Sequence, residues 1–282
     1  MMREIAILLP INATIELAAV LFGWLQSEVR KVKAGNMDRK KHWAIPSSDL
    51  SLSENQVHAW RVFLNAPLGV RNRLERILGE DERIRASRFY FESDQHRWII
   101  ARGALRMLIS RYLHLQPEKL LFASNEYGKL ALAPFHERKL EFNLSHSRDI
   151  ALYVLTVERQ VRVDVEYMRD DIAYDELAKV SFSPNERTIL RSLPQEAKRE
   201  AFFNCWTRKE AYIKARGLGL SLPLHLFDVS IRPSEPVALL ASREDPCEVS
   251  RWTLLNLYPG MGYAAALAVE GTGWQLHCRQ WL

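Results

Sequence analysis

The period of the apolar positions changes several times along the chain, and each change predicts an element. Val57-His58-Ala59-Trp60-Arg61-Val62-Phe63-Leu64 predicts a first strand, and helical spacing follows over Leu68–Leu78 until Gly79 breaks it. Glu80–Phe91 predicts a second helix. Asp94–Leu113 predicts a longer one, with Trp98, Ala101, Leu105, Leu108 and Tyr112 on one face. Strand-like runs at Leu140–Leu144, Ile150–Val157 and Val161–Tyr167, joined by short turns, predict an antiparallel meander. Helical spacing resumes at Ile172 and leads to Phe182-Ser183-Pro184-Asn185-Glu186. There Ser183 reads as an N-cap, Pro184 as the first helical residue and Glu186 as the partner in a capping box. Gln195–Arg216 contains neither Pro nor Gly, and Phe202, Phe203, Trp206, Ala211, Tyr212 and Ile213 give that helix a broad buried face. Beyond Pro223 the strand-like runs are Leu226–Ile231, Trp252–Leu257 and Met261–Val269, and no internal repeat is visible. The pattern is α+β.

Residues 1–41 do not share it. The apolar runs Ile5–Leu9 and Ile15–Leu25 are interrupted by Pro10, Asn12 and Glu16. They fall short of the roughly 18 uninterrupted apolar residues that a membrane span needs. No small-x-small cleavage site precedes the basic run Arg30-Lys31-Val32-Lys33, so a signal peptide fits poorly. An amphipathic surface helix or a dispensable leader remains, and stable membrane insertion is not expected.

Charge narrows the classes of function. The net charge is +5, of which the first 41 residues carry +3, leaving +2 for the other 241. So balanced a body argues against nucleic acid as the partner. Cys205, Cys247 and Cys278 are odd in number and far apart, without Cys-x-x-Cys spacing. That excludes a disulfide framework and a zinc site, and suits a reducing cytoplasm.

Three stretches carry candidate chemistry. Asp164 and Glu166 alternate onto one side of a strand, where they repel each other unless a cation lies between them. A hard divalent ion such as Mg²⁺ answers this, with Glu210 as a third carboxylate. Glu210 and Lys214, four apart, project from one side of the long helix. Alone, that pair reads as a solvated ion pair, and an Asp-x-Glu on an edge strand is common. Asn143-Leu144-Ser145-His146-Ser147 follows a strand-like run, and a lone histidine there reads as a structural turn residue.

Taken together the stretches say more. Ser145-His146-Ser147, then Asp164 with Glu166, then Trp206-Thr207-Arg208-Lys209-Glu210-Ala211-Tyr212-Ile213-Lys214, with Gly217-Leu218-Gly219-Leu220-Ser221-Leu222-Pro223-Leu224 behind, resemble the Sfp-type 4′-phosphopantetheinyl transferases. The resemblance implies two similar α+β lobes related by a pseudo-twofold, 42–149 and 150–282, with the cofactor in the cleft between them. It implies Mg²⁺-dependent transfer of 4′-phosphopantetheine from coenzyme A to a serine of an apo acyl or peptidyl carrier protein, with 3′,5′-ADP leaving. The carrier belongs to fatty acid, polyketide or nonribosomal peptide synthesis, and a modestly basic rim would speed encounter with an acidic one. By the same resemblance Asp164, Glu166 and Glu210 hold the metal, and Glu210 or a water it holds is the base. Lys214, Ser145 and His146 face the cofactor; Lys214, catalytic together with Glu210, and His146 contact the departing phosphates, His146 through a charge-assisted hydrogen bond. Arg85 and Arg97 hold the 3′-phosphate of coenzyme A, and Lys129 lies in the Tyr127-Gly128-Lys129 loop beside the adenine. Family members begin near the equivalent of His42 to Leu52, which makes Met37 a candidate natural start.

Two departures stand out. Glu82 occupies a place where a basic residue is frequent, and Arg162 precedes Val163-Asp164-Val165-Glu166 where the family has glycine. Arg162 reads either as a packing substitute or as a phosphate contact. Two other functions use the same residues: a metal-dependent nucleotide or pyrophosphate hydrolase, and a non-catalytic module that binds coenzyme A or a carrier protein.

Overall fold

A computed structural model describes residues 43–46, 50–124, 130–133, 140–217 and 222–281. The leader expected over 1–41 and the turn carrying Lys129 lie outside these residues.

β1 (Gln56–Phe63) leads into α1 (Leu68–Arg76), α2 (Glu80–Ser87) and α3 (Glu92–Leu113). The short pair β2 (Phe122–Ser124) and β3 (Leu130–Leu132) comes next, then β4 (Leu140–Ser147) and β5 (Ile150–Val157). β6 (Val161–Tyr167) then begins the same succession. It continues through α4 (Tyr174–Ser181), α5 (Pro184–Ser192), α6 (Gln195–Arg216) and the short pair β7 (Phe227–Val229) and β8 (Leu239–Ser242). α7 (Glu248–Arg251), β9 (Trp252–Leu257) and β10 (Tyr263–Glu270) complete it, and β11 (Gln275–Gln280) ends the described chain. The long helices α3 and α6 are 22 residues each. The two sheets have matching orders, β1-β5-β4 and β6-β10-β9, antiparallel throughout, and β11 adds to β1 in parallel. The repeat that residue identity hides is plain in the topology.

Strand alternation builds the layers. Ile150, Leu152 and Val154 of β5 meet Val161, Val163 and Val165 of β6 and Leu267 of β10 in a core between the sheets. Ala151, Tyr153 and Leu155 turn the other way, under Ala104, Leu105 and Leu108 of α3. On the outer face of the second sheet Ala264, Ala266 and Ala268 lie in one cluster with Phe202, Tyr212 and Ile213 of α6. Small side chains at that face let the helix backbone approach, which brings Glu210 and Lys214 down onto β6.

The capping box of α5 forms as predicted, with Glu186 N–H donating to Ser183 Oγ at 3.2 Å and Ser183 N–H to Glu186 Oε2 at 2.8 Å. Glu186 does more than cap. It is fully buried, accepts Val229 N–H at 2.7 Å and pairs with Lys209 Nζ at 2.8 Å. Lys209 in turn donates to the carbonyls of Leu224 and Phe227, so one ion pair ties α5, α6 and β7 together.

Some expectations change. The meander stops after β5, because both edges of β5 are taken by β1 and β4, and β6 crosses to pair with β10. α2 ends at Ser87 rather than Phe91. β11 is not among the expected strands, although Leu276 and Cys278 alternate with Gln275, His277 and Arg279 and pack against the core between the sheets. The lobe division at 149/150 falls in the β4–β5 turn; because β5 pairs with β1 and β4, we place the repeat boundary instead at residues 158–160.

Lys209→Met should destabilise the protein by about 3 kcal/mol or more, because Glu186 is left buried without its cation. Glu186→Gln combined with Lys209→Met should lose much less. Chemical denaturation of the two variants checks this.

Candidate active site

β6 pairs with β10 along one edge and faces β4 along the other. No backbone ladder joins β4 and β6 among the described residues. Alternation instead turns Asn143, Ser145 and Ser147 of β4 toward β6. Asn143 Oδ1 accepts Val163 N–H at 3.0 Å, Ser145 Oγ accepts Val165 N–H at 3.4 Å, and Ser147 Oγ accepts Tyr167 N–H at 3.0 Å. These short side chains satisfy an edge that would otherwise be bare. A hydroxyl has a proton left to give. Ser145 donates to Asp164 Oδ1 at 3.0 Å and Ser147 to Glu166 Oε2 at 2.9 Å.

Asp164 and Glu166 share the β6 face toward α6. Lys214 Nζ lies 2.6 Å from Asp164 Oδ1, and Glu210 stands one helical turn earlier. Burial pushes the carboxyls of Asp164, Glu166 and Glu210 above their ordinary range, and the Asp164 charge raises the two glutamates further. Lys214 and the Ser145 hydroxyl hold Asp164 back in part. Asp164 Oδ2 is buried without a hydrogen-bond partner. As placed, no three His, Cys, Asp or Glu side chains among the described residues form a ready metal-binding cluster. Lys214 occupies one Asp164 oxygen, Oδ1, and leaves the other.

His146 points from the opposite face of β4 into a cleft of about 350 Å³. Trp98, Phe122, Phe142 and Leu144 give the cleft apolar walls, and Arg85 and Arg102 give it positive charge. Desolvation by the surrounding chain, then the Lys214 charge, holds the His146 imidazole below its ordinary value, although the residue keeps an exposed side. An N–H donating from this ring to an anionic phosphate would be charge-assisted through its acceptor. Glu166 opens on its other side into a second groove of about 410 Å³, with Arg148, Tyr167, Ile172, Phe203 and Trp206. Of the expected carboxylates only Glu166 lines one of these two openings; Asp164, Glu210 and Lys214 line neither.

Arg85 lines the cleft; Arg97 and Ser145 do not. Arg97 pairs with Asp149 at 2.9 Å and Asp94 at 3.3 Å, which fixes it at the β4–β5 turn. The Ser145 hydroxyl is committed to β6. Glu82, the acidic departure, is buried and paired with Arg102 and, at 2.6 Å, with Arg106. It holds Arg102 on the cleft wall, the guanidinium 4.5 Å from the Phe122 ring centre. Sequence reasoning misses Arg102 among its neighbours Arg83, Arg85, Arg88, Arg97, Arg106 and Arg111. Its one signal is the spacing of Arg102 and Arg106, four apart on the helix facing Glu82. Arg162 is only 2% exposed and bonds to the Lys214 carbonyl, away from either opening. Lys129 and residues 218–221 lie outside the described residues.

Likeness to known proteins follows the repeat. Residues 72–158 match the N-terminal region of 4′-phosphopantetheinyl transferases, and residues 160–268 match the 4′-phosphopantetheinyl transferase superfamily. 4′-Phosphopantetheinyl transferase HetI of Nostoc sp. is 39% identical over 234 residues, 83% of this chain and 95% of the relative. The chain belongs to the 4′-phosphopantetheinyl transferases. 4′-Phosphopantetheinyl transferase Sfp of Bacillus subtilis is 27% identical over 210 residues, 73% of this chain and 90% of the relative. The transferase is an enzyme of this class, and none of its described helices is long and apolar enough to cross a membrane.

A carboxyl whose value is raised by folding costs stability once ionised, and that cost vanishes below its ordinary value, 4.5 for glutamate. Glu166→Gln should therefore raise the melting temperature of the metal-free transferase at pH 8, by about 2–4 °C. The gain should disappear as pH falls to the ordinary value, and melting curves across pH check this.

Proposed function

We propose that the transferase moves 4′-phosphopantetheine from coenzyme A to a serine hydroxyl of an apo carrier protein, with Mg²⁺, and releases 3′,5′-ADP. The observation that carries this reading is the pair Asp164 and Glu166 on one face of β6, with Lys214 on one Asp164 oxygen, the other oxygen unpartnered and Glu210 one helical turn before Lys214. All three carboxyls are raised by burial, and the glutamates further by Asp164. Such a cluster asks for a cation, and the unpartnered Asp164 Oδ2 is an oxygen free to ligate one. All three donors are hard oxygens, which suits Mg²⁺. That ion keeps waters and substrate phosphate in its shell and needs no all-protein cage. Asp164, Glu166 and Glu210 would hold it. When bound, the ion neutralises charge on the pyrophosphate and aligns the phosphorus for in-line attack.

The remaining work falls to the chain. Arg102 and Arg85 hold coenzyme A phosphates in the cleft, with its adenosine end between the apolar walls. His146 donates its N–H to the pyrophosphate. The carrier serine enters by the groove, where the Arg148 guanidinium lies 3.7 Å from the Tyr167 ring centre and offers positive charge to an acidic partner. Glu210, or a water it holds, takes the hydroxyl proton as the oxygen–phosphorus bond forms. A carboxyl raised toward neutrality is better matched to that task than an ordinary one. Lys214 turns its N–H donors to the departing phosphate as the bond to 3′,5′-ADP breaks. A reducing cytoplasm fits Cys205, Cys247 and Cys278, which no disulfide joins among the described residues.

Intact-mass spectrometry of an apo acyl carrier protein incubated with the transferase, coenzyme A and Mg²⁺ should show a gain of one phosphopantetheine. Asp164→Ala should abolish it. Glu210→Gln should slow transfer about a hundredfold or more with an unchanged fold. Breakdown of coenzyme A without a loaded carrier would overturn the reading.

A further inference from the structure

We propose that Arg162 is a positioning residue that fixes the active-site turn of α6 against β6 and acts through Lys214. This rests on the reading of Lys214 as a phosphate-contacting residue.

Strand alternation places Arg162, Asp164 and Glu166 on one face of β6, the face that meets α6. The Arg162 side chain is buried, and its Nε donates to the Lys214 carbonyl at 3.1 Å. Its two terminal nitrogens donate to the Val161 carbonyl and, at 3.0 Å, to Gln160 Oε1. The guanidinium therefore spans from the start of β6 to the last turn of α6.

That turn needs the contact. α6 ends at Arg216 with Gly217 in the left-handed conformation, φ 70°, so the carbonyls of its last turn lack intrahelical donors. The Lys214 carbonyl receives Gly217 N–H at 3.2 Å, a local bond that travels with the turn. The bond from Arg162 comes from a different element and ties the turn to the strand that carries the carboxylates. A cation at this end of the helix also meets the negative pole of its dipole. Lys214 is thereby attached twice to one strand face, through its carbonyl to Arg162 and through its ammonium to Asp164 at 2.6 Å. The first attachment survives when the ammonium leaves Asp164 for a phosphate. It sets where the side chain starts from and how far it can reach. At 2% exposure, Arg162 itself touches no substrate.

The test is a double-mutant cycle on carrier loading: wild type, Arg162→Met, Lys214→Met and the double variant, each with a melting curve. Arg162→Met should lower kcat about tenfold with KM for coenzyme A changed less than about twofold, and Arg162→Lys should recover part of the loss. In the Lys214→Met background the Arg162→Met change should have no further effect. A full additional tenfold loss there would show that Arg162 acts elsewhere and overturn the proposal. Wild-type rates for Lys214→Met would instead overturn the role of Lys214, and with it the route assigned to Arg162. If Arg162→Met fails to fold, Arg162→Lys takes its place in the cycle, and additivity with Lys214→Met again overturns the proposal.

Discussion

The seam between β4 and β6 does two jobs with the same atoms. Two sheets meet there edge to edge, and three polar side chains close the gap where a ladder would otherwise run. Asn143, Ser145 and Ser147 accept the β6 amides, and the two serines pass their protons to Asp164 and Glu166. Joining the two repeats and aiming two carboxylates are thus one hydrogen-bond network. Cutting β4 from β6 would disturb the carboxylates, and removing the carboxylates would leave two half-buried hydroxyl protons without these acceptors. The valines on the other face of β6 seal the core between the sheets, so the strand that carries the acids is also one of the most firmly packed.

Electrostatics at that seam works against stability. Three carboxylates raised by burial share a small volume with one ammonium, Lys214. A folded protein tolerates this where the rest of the core is well satisfied, and functional sites are where such conflict is retained. The contrast with Glu186 is instructive. That carboxylate is as deeply buried, yet it has Lys209 and two backbone amides, and it holds helices rather than substrate. Burial alone does not distinguish a structural acid from a functional one. The orphaned Asp164 Oδ2 does.

Much of this is legible in the chain. The uninterrupted Gln195–Arg216 helix and the Ser183 capping box are readable because local spacing and caps dictate them. So are β5 and β6, whose apolar runs are continuous. The carboxylates are readable because alternation and helical spacing fix which side chains share a face. What fails depends on pairing between distant strands. Nothing in Val161–Tyr167 reveals that both edges of β5 are already taken, so the meander reads one strand too long. Among the arginines between Glu80 and Leu113, spacing cannot tell Arg97, held by Asp149, from Arg102, held in the cleft by Glu82. Glu82 and Arg162 look like defects against the family pattern. Each has its partners in three dimensions: Glu82 organises two arginines, and Arg162 clamps the helix that bears Lys214.

A carboxylate cluster built in this way should receive a divalent cation together with coenzyme A phosphates. Titration of Mn²⁺ into the transferase, followed by loss of the free-ion electron paramagnetic resonance signal with and without coenzyme A, probes this without any turnover. One ion should bind, more tightly when coenzyme A is present, and its binding should be lost in Asp164→Asn. Equal binding by wild type and Asp164→Asn, or binding indifferent to coenzyme A, would contradict a metal site at these carboxylates.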